Sequence, residues 1–253
     1  MLRQPQEKRT LNQNLMLASS SAFVAGITDV VGLLAFLAFT SNVTGHVANL
    51  AKNILQQNFN DIIIFVLWLL MFMIGSFTSN FIVQSLKHKS SYRAHSVPII
   101  LEIIVLLFVA IYGHKFYQET EIERKVVIGS LLFAMGLQNG LVSNISGGLI
   151  KSTHLTGLFT DLGSELADWL HPKTKESQTL KNKIYVRLTV LAFFIFGGLV
   201  GGYFFNIYEF KVFYFVPVIL LTILYYDMLP VFFHKVYQVI YPTKTKITKN
   251  KNL

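Results

Sequence analysis

Long uncharged apolar runs alternate with short charged segments along this chain. Within the apolar runs the only charged residues are Asp29, Glu102 and Asp227. A helix needs about 20 apolar residues to cross a hydrocarbon core about 30 Å thick. The pattern therefore predicts six transmembrane helices, at 15–40, 62–86, 96–112, 126–142, 188–205 and 212–233. A soluble helical domain is the alternative, and it is disfavoured because its helices would keep a polar face toward water.

Composition supports the membrane prediction. Hydrophobic residues make up 53% of the chain and charged residues 14%, whereas soluble domains carry about 25% charged residues. The chain has no cysteine, which excludes disulfides, thiolate metal sites and a cysteine nucleophile. Arg3, Lys8 and Arg9 precede the first run, but an apolar run of this length without a small-residue cleavage site is not typical of a cleaved signal peptide.

The basic residues predict which side of the membrane each loop occupies. Of the 22 Lys and Arg residues, 17 fall before the first run, between the second and third, between the fourth and fifth, or after the sixth, and five fall elsewhere. Because basic loops stay in the cytoplasm, both termini are predicted to be cytoplasmic. The net charge of +9 then reflects topology and a basic tail near anionic lipid, so no nucleic-acid partner is expected.

Two stretches of the chain resemble each other, which predicts an internal repeat. Each stretch runs Gly-x-x-(Asp or Asn) and then reaches a polar turn that ends in Thr-Gly. Each is followed by a small-residue helix and then by a helix that a proline opens. The matching segments are Gly26-Ile-Thr-Asp29-Val-Val-Gly32 with Thr44-Gly45, 75–79 and Pro98 in the first half, and Gly136-Leu-Gln-Asn139-Gly-Leu-Val142 with Thr156-Gly157, 197–202 and Pro217 in the second.

The repeat predicts the fold class. Each half holds three spans, an odd number, so the second half is inverted relative to the first, as in many secondary transporters. We expect an all-α membrane protein of six transmembrane helices in two inverted three-helix repeats, with short re-entrant or interfacial helices after spans one and four. The expected segments are a cytoplasmic stretch at 1–14, a single transmembrane domain at 15–235 with repeats at 15–114 and 126–235, and a basic cytoplasmic tail at 236–253.

These motifs resemble the YoaK-like family of bacterial membrane proteins, which carry a domain of unknown function. The resemblance rests on Gly-x-x-Asp-x-x-Gly and Ser-x-x-Thr-Gly in the first half, and on Gly-Leu-Gln-Asn and Thr-His-x-Thr-Gly in the second. It covers roughly residues 15–235 and implies a multi-pass protein of the bacterial plasma membrane, with no established substrate or reaction. The chain departs from the family pattern at His46, where Asn is usual, and at Lys151-Ser152, where Arg-Thr is usual.

Asp29 is the first candidate for a binding residue. An ionisable residue within a span costs about 2.5–3.5 kcal/mol on insertion, so it normally faces the helix bundle or a cavity. Asp29 would bind a cation, a proton or a polar solute, or it would make a structural hydrogen bond to a neighbouring helix. The repeat places Asn139 opposite Asp29, and Thr28 and Gln138 are expected to widen the same polar patch.

The two Thr-Gly turns are the second candidate. A helix that restarts at Thr44-Gly45 or Thr156-Gly157 would have a hydroxyl N-cap and free N–H groups for an anion, and the alternative is an ordinary interfacial loop. Three further side chains are candidates for a proton relay: His46, His154 and Glu102. The alternatives are loop histidines and, for Glu102, a carboxylate that reaches the membrane surface.

The chain contains no recognisable catalytic or nucleotide-binding motif, so no enzymatic activity, cofactor or metal site is expected. Four residues between the fourth and fifth runs share no metal-ligand spacing and are expected on a solvated helix and linker: Glu165, Asp168, His171 and Glu176. The leading interpretation is a small secondary transporter or permease for a small polar solute or ion, surrounded by the lipid bilayer. A non-transporting scaffold or subunit of a membrane complex is the alternative, an intramembrane enzyme is third, and a homo-oligomer is left open.

Overall fold

The chain folds into helices. A computed structural model describes residue 2 and residues 9–171 and 177–240, with side chains through residue 227. These residues contain no β-strand. Their α-helices are α1 (Leu11–Phe36), α2 (Val43–Leu55), α3 (Phe59–Leu86), α4 (Ser91–Lys115), α5 (Glu121–Ser146), α6 (Leu155–Leu170), α7 (Gln178–Tyr208) and α8 (Phe215–Ile240). A 3-10 helix, Glu209–Tyr214, joins α7 to α8. Glu176, half of the predicted segment 1–14 and most of the predicted tail 236–253 lie outside the described residues.

Five helical segments within the described residues are long and apolar enough to cross a membrane. They are α1, α3, α4, α5 and a continuous stretch, Gln178–Asp227, which contains α7, the 3-10 helix and the start of α8. Their most apolar windows have mean hydropathies from 1.6 to 2.4. In α3, only 11% of the residues in the most apolar window are buried inside the protein, so most of the surface of α3 can contact lipid. The chain is therefore an integral membrane protein with several membrane-spanning helices.

The predicted spans and the observed helices differ in two places. The fifth and sixth runs are not separated by a loop, since α7 passes directly into the 3-10 helix and then into α8. The first run ends early, because α1 stops at Phe36 and the chain turns back so that Thr40 contacts the helix again. The division into six spans stays a prediction.

The short helices and the helix starts follow local capping. Short helices, α2 and α6, come directly after α1 and α5. The prediction that Pro98 opens its helix is wrong: Ser90 accepts a hydrogen bond from the Arg93 N–H, and α4 begins at Ser91, a full seven residues before the proline. Pro217 does lie in the first turn of α8, where a proline costs no helical hydrogen bond.

The first close helix pair crosses through two Phe-x-x-Gly sequences. A Cβ added to Gly26 of α1 would overlap the carbonyl oxygen of Phe194 in α7. A Cβ added to Gly197 of α7 would overlap the carbonyl oxygen of Phe23 in α1. The two backbones are therefore in direct contact, which glycine permits and any side chain would prevent.

The second pair, α3 with α5, repeats this arrangement. A Cβ on Gly136 of α5 would overlap the Phe72 carbonyl oxygen, and a Cβ on Gly75 of α3 would overlap the Phe133 carbonyl oxygen. Each pair thus joins a helix from the first half of the chain to a helix from the second half.

Both helix pairs run parallel. The glycine contacts advance along the two helices of a pair in the same direction, toward both C-terminal ends. Beyond the crossings just described, Ile27 of α1 meets Gly201 of α7, and Ser76 of α3 meets Gly140 of α5. We refer to these units as the α1–α7 pair and the α3–α5 pair.

Leu2, near the start of the chain, makes hydrogen bonds to α4 and α8. Leu2 is fully buried. Its N–H donates to the Asp227 carboxylate of α8, and its carbonyl oxygen accepts a hydrogen bond from Nδ1 of His95 in α4. The Leu2 N–H thus provides a hydrogen-bond donor to the buried Asp227 carboxylate.

Replacing Gly136 by alanine tests the crossing of α3 and α5. The added methyl group would overlap the Phe72 carbonyl, so the helices must separate, and we expect a loss of roughly 1–3 kcal/mol of stability. Gly163→Ala is the matched control, because no atom lies within 4 Å of a Cβ there and alanine favours a helix by about 1 kcal/mol over glycine. Thermal unfolding of both variants in detergent measures the difference, and equal melting temperatures would contradict the close crossing.

Candidate functional site

A polar cavity lies between the α1–α7 pair and the α3–α5 pair. Its volume is about 650 Å³. Both halves of the chain line it, so no single half could form it alone. The polar lining residues of the first half are Asp29, Ser41, Asn42, Thr44, Ser76 and Asn80, and those of the second half are Asn139, Ser143, Lys151, Thr153, His154 and Thr156.

Asp29 fastens the connection between α1 and α2. It is 8% exposed, and its Oδ1 accepts hydrogen bonds from the Thr40 N–H at 2.8 Å and the Thr40 hydroxyl at 3.1 Å. Gly32, one turn further along α1, makes room for the Thr40 methyl group, which a Cβ at that position would overlap. The Gly-x-x-Asp-x-x-Gly motif therefore packs α1 on α7, binds the loop and admits that loop against the helix.

Asn139 does the same for the connection between α5 and α6. Its Nδ2 donates to the Thr153 hydroxyl at 2.8 Å, and its Oδ1 accepts from the Ser152 hydroxyl at 3.3 Å and the Thr153 N–H at 3.4 Å. Asp29 and Asn139 thus lie at matching positions, line one cavity, and each holds the loop that leads into a short helix.

The Thr-Gly turns form the first turns of α2 and α6. The prediction that Thr44 and Thr156 are the N-caps is wrong, because Asn42 and His154 occupy the cap positions and each threonine lies two residues into its helix. Asn42 accepts from the N–H of the third helical residue, Gly45, at 2.9 Å, whereas His154 makes no side-chain cap bond. Thr44 and Thr156 still line the cavity.

The glycines of these turns are explained by the cap side chains that fold over them. A Cβ at Gly45 would lie 2.7 Å from Nδ2 of Asn42, and a Cβ at Gly157 would overlap the His154 ring. Gly45 and Gly157 therefore leave room for the cap side chains, and neither glycine lines the cavity.

Thr28 and Gln138 lie outside the cavity, contrary to the prediction that they widen its polar patch. The Thr28 hydroxyl is fully buried and donates to the Val24 carbonyl of its own helix at 2.9 Å. Gln138 donates to the Ser21 carbonyl at 3.2 Å, which ties α5 to α1. A residue one position before a cavity residue points about 100° away on a helix, toward the neighbouring helix instead.

His46 and His154 have different environments. His46 is 5% exposed, its Nε2 lies 2.9 Å from the Phe39 carbonyl oxygen, and its ring contacts Phe65 and Trp68 of α3. Burial lowers the pKa of His46. His46 is not among the residues that line the cavity. His154 is exposed and lines the cavity, so it remains a candidate for proton transfer there.

Glu102 is buried within α4 and does not line the cavity. It is 1% exposed, and its Oε1 has no hydrogen-bond partner among the described residues. The alternative that it reaches the membrane surface is therefore wrong. Glu102 is therefore not part of the cavity lining that includes Asp29.

The sequence prediction missed part of the cavity wall. Ser76 and Asn80 lie one turn apart on α3, as Asn139 and Ser143 do on α5. Polar residues spaced four apart on otherwise apolar helices were the signal that would have found them. Asn80 Oδ1 also accepts from Nδ2 of Asn144 at 2.9 Å, which binds the α3–α5 pair beside the cavity.

One predicted solvated residue is buried. Glu165 of α6 is 9% exposed and faces Arg187 of α7, because α6 folds back onto α7. Among the described residues, no group of three or more His, Asp or Glu side chains could hold a metal ion.

All helices that line the cavity fall within a known protein family. A family model described as a protein of unknown function, DUF1275, matches residues 17–226. The chain belongs to the DUF1275 family. The match runs from α1 into α8 and includes every cavity-lining residue, and it confirms the predicted resemblance to YoaK-like proteins. No curated protein and no solved structure matches this DUF1275 chain.

Exchanging the amide and the carboxylate tests the two loop contacts. Asp29→Asn keeps the Oδ1 acceptor for Thr40, so we expect a folded protein close to wild type in stability. Asn139→Asp removes the donor to Thr153 and adds a second carboxylate to the cavity that Asp29 lines, so we expect a loss of roughly 1–3 kcal/mol. Thermal unfolding in detergent at pH 7 compares them. The reverse order of stabilities would show that these side chains do not hold the loops as described.

Proposed function

We propose that this DUF1275 protein is a small secondary transporter or permease for a small polar solute, with the cavity as its binding site. One observation carries the proposal: Asp29, Asn139, Thr44 and Thr156 line a single cavity of about 650 Å³ between the two halves of the chain. Cavities of roughly 300–1,000 Å³ suit small ligands. Polar side chains on the facing surfaces of apolar membrane helices are typical of a site for a polar ligand.

The architecture we propose is six spans in two inverted three-helix repeats. Two features support it. The loop contacts of Asp29 and Asn139 occupy matching places, and so do the four Phe-x-x-Gly sequences at the two helix crossings. The parallel α1–α7 and α3–α5 pairs are also compatible with it, because successive spans alternate in direction, so the first and fifth spans run the same way, as do the second and fourth.

We propose the bacterial plasma membrane as its location, with both termini cytoplasmic. The distribution of Lys and Arg supports this orientation. It places α2 near the outer side and α6 near the cytoplasmic side. The first turn of each short helix faces the same cavity, so α2 and α6 are proposed to enter the membrane from opposite sides.

The lining chemistry favours a solute with several hydrogen-bonding groups. Hydroxyl and amide side chains predominate, and the charged lining residues are Asp29 and Lys151. The N-terminal ends of α2 and α6 carry partial positive charge, while Asp29 offers a carboxylate for a cationic group or a coupling proton. The substrate panel therefore needs neutral, anionic, cationic and zwitterionic members.

Alternating access would move one helix pair against the other. Each Phe-x-x-Gly crossing fixes the two backbones of a pair in contact, so the α1–α7 pair and the α3–α5 pair are the proposed rigid units. The cavity lies at their boundary, where a rocking movement would open it first to one side and then to the other.

Uptake into proteoliposomes tests the proposal. Wild type is expected to accumulate at least one solute of the panel, and Asp29→Asn to reduce its uptake by roughly tenfold or more, the effect of about 1.4 kcal/mol. Thr222→Ala is the control, because this hydroxyl is exposed on α8 and donates only to its own helix, at Val218. If wild type and both variants are folded and none of them takes up any solute of the panel, the result contradicts transport.

A non-transporting scaffold or subunit is the second candidate. The outward face of α3 favours it, since large apolar side chains such as Ile63, Met73, Phe77 and Phe81 are exposed there and would suit either lipid or a partner. Purification from native membranes separates the two functions. A stoichiometric partner together with absent uptake would favour the scaffold.

A further inference from the structure

Arg187 connects three segments at the base of α6. Its Nη2 lies 2.8 Å from Asp161 Oδ2 and 3.5 Å from Glu165 Oε1, both on α6. Its Nη1 donates to the Leu149 carbonyl oxygen at 3.0 Å, in the connection between α5 and α6. We call this group of contacts the Arg187 latch. The side chains of Arg187 and Glu165 are 13% and 12% exposed, so their contact is shielded from solvent, whereas Asp161 is 52% exposed and its contact is open on one side.

The latch holds a wall of the cavity without lining it. Leu149 lies two residues before Lys151, which faces the cavity, and Asp161 lies just over one turn beyond Thr156, which also faces it. The segment from the α5–α6 loop through the first turn of α6 is thus fixed to α7 behind the cavity. A movement of α6 away from α7 would remove this wall.

The first half has no ionic counterpart at the matching positions. Arg187 precedes Phe194 of the α7 crossing by seven residues, and the residue seven before Phe72 of the α3 crossing is Phe65. Asp161 and Glu165 follow Gly157 by four and eight residues, and the residues at those distances from Gly45 are Asn49 and Asn53.

Aromatic packing takes the place of the ion pairs in the first half. The rings of Phe65 and Trp68 lie 5.9 and 5.3 Å from the His46 ring, between centroids, and hold α2 against α3. Matching positions therefore use different chemistry: α6 is held by charge, and α2 by apolar contact.

The bonding of the latch is incomplete. Arg187 Nε and Glu165 Oε2 are buried, and neither has a hydrogen-bond partner among the described residues. A buried ion pair contributes little net stability when polar atoms stay unsatisfied, because the cost of removing the charges from water offsets their attraction. The ion pairs therefore set the position of α6 against α7, but they add little free energy that would oppose a movement of α6.

We propose that the Arg187 latch is the gate on the α6 side of the cavity. Release of Arg187 from Asp161 and Glu165 frees α6 and its preceding loop from α7 and widens the opening of the cavity on that side, where Lys151, His154 and Thr156 are already exposed. The ring contacts of His46 with Phe65 and Trp68 keep α2 in place. This inference rests on the proposed function, since it takes the cavity as the transport site.

The absence of cysteine makes the gate directly measurable. Ser143→Cys places a single thiol on the cavity wall of α5, away from α6 itself. The protein is reconstituted in lipid nanodiscs, where both faces are accessible, and its labelling rate by a charged, membrane-impermeant thiol reagent is measured. The rate is compared for the reporter alone and for the reporter combined with Arg187→Gln, Arg187→Lys or Lys183→Gln.

We expect Arg187→Gln to raise the labelling rate about threefold to tenfold, because it removes both ion pairs. Arg187→Lys keeps a charge for Asp161 but loses the forked geometry, so its rate should fall between that of Arg187→Gln and that of the reporter alone. Lys183→Gln, an exposed change one turn earlier on α7, should leave the rate unchanged. Raising the salt to about 1 M should accelerate labelling with Arg187 present and have little effect in Arg187→Gln.

An unchanged or slower rate in folded Arg187→Gln protein would overturn the gate. Should that variant fail to fold, Asp161→Asn provides the test, because this side chain is 52% exposed and its loss should raise the rate in the same direction by a smaller factor. The assay requires no substrate. Failed uptake with a responsive labelling rate would therefore refute transport and leave the gate, and the opposite result would refute the gate alone.

Discussion

Direct contact between helix backbones at glycine is the constraint on which this structure depends. Hydrocarbon gives helices no hydrophobic reason to associate, so close packing and hydrogen bonds must hold them together. Gly26, Gly75, Gly136 and Gly197 each lie against a phenylalanine carbonyl of the partner helix. These crossings create two parallel pairs, each built from both halves of the chain. The helices are in backbone contact within each pair, and the cavity lies between the two pairs.

The loops after α1 and α5 are held by side chains of the helices that precede them. Asp29 accepts hydrogen bonds from Thr40, and Asn139 exchanges hydrogen bonds with Thr153, at corresponding places in the two loops. The two halves share geometry and differ in charge at this position, so the cavity is polar on both sides and carries a carboxylate on only one.

The two halves also differ in how they hold the short helices α2 and α6 behind the cavity. Arg187 holds α6 through ion pairs, whereas Phe65 and Trp68 hold α2 through ring contacts. Ionic contacts respond to competing charge and weaken with salt, and apolar contacts do not. The two short helices are thus held by different chemistry, although they occupy matching positions along the chain.

The membrane class and the short helices after α1 and α5 follow from the sequence, because apolar run length and repeated motifs can be recognised without knowing the fold. The sequence also singled out Asp29, Asn139, Thr44 and Thr156, which line one cavity in the structure. It did not determine which of two adjacent polar residues faces the cavity: Thr28 and Gln138 were predicted with their neighbours and instead bind helix backbone. Nor did it place Glu165 against Arg187, or His46 against Trp68. Those outcomes depend on which helix lies alongside, and only the tertiary structure decides that.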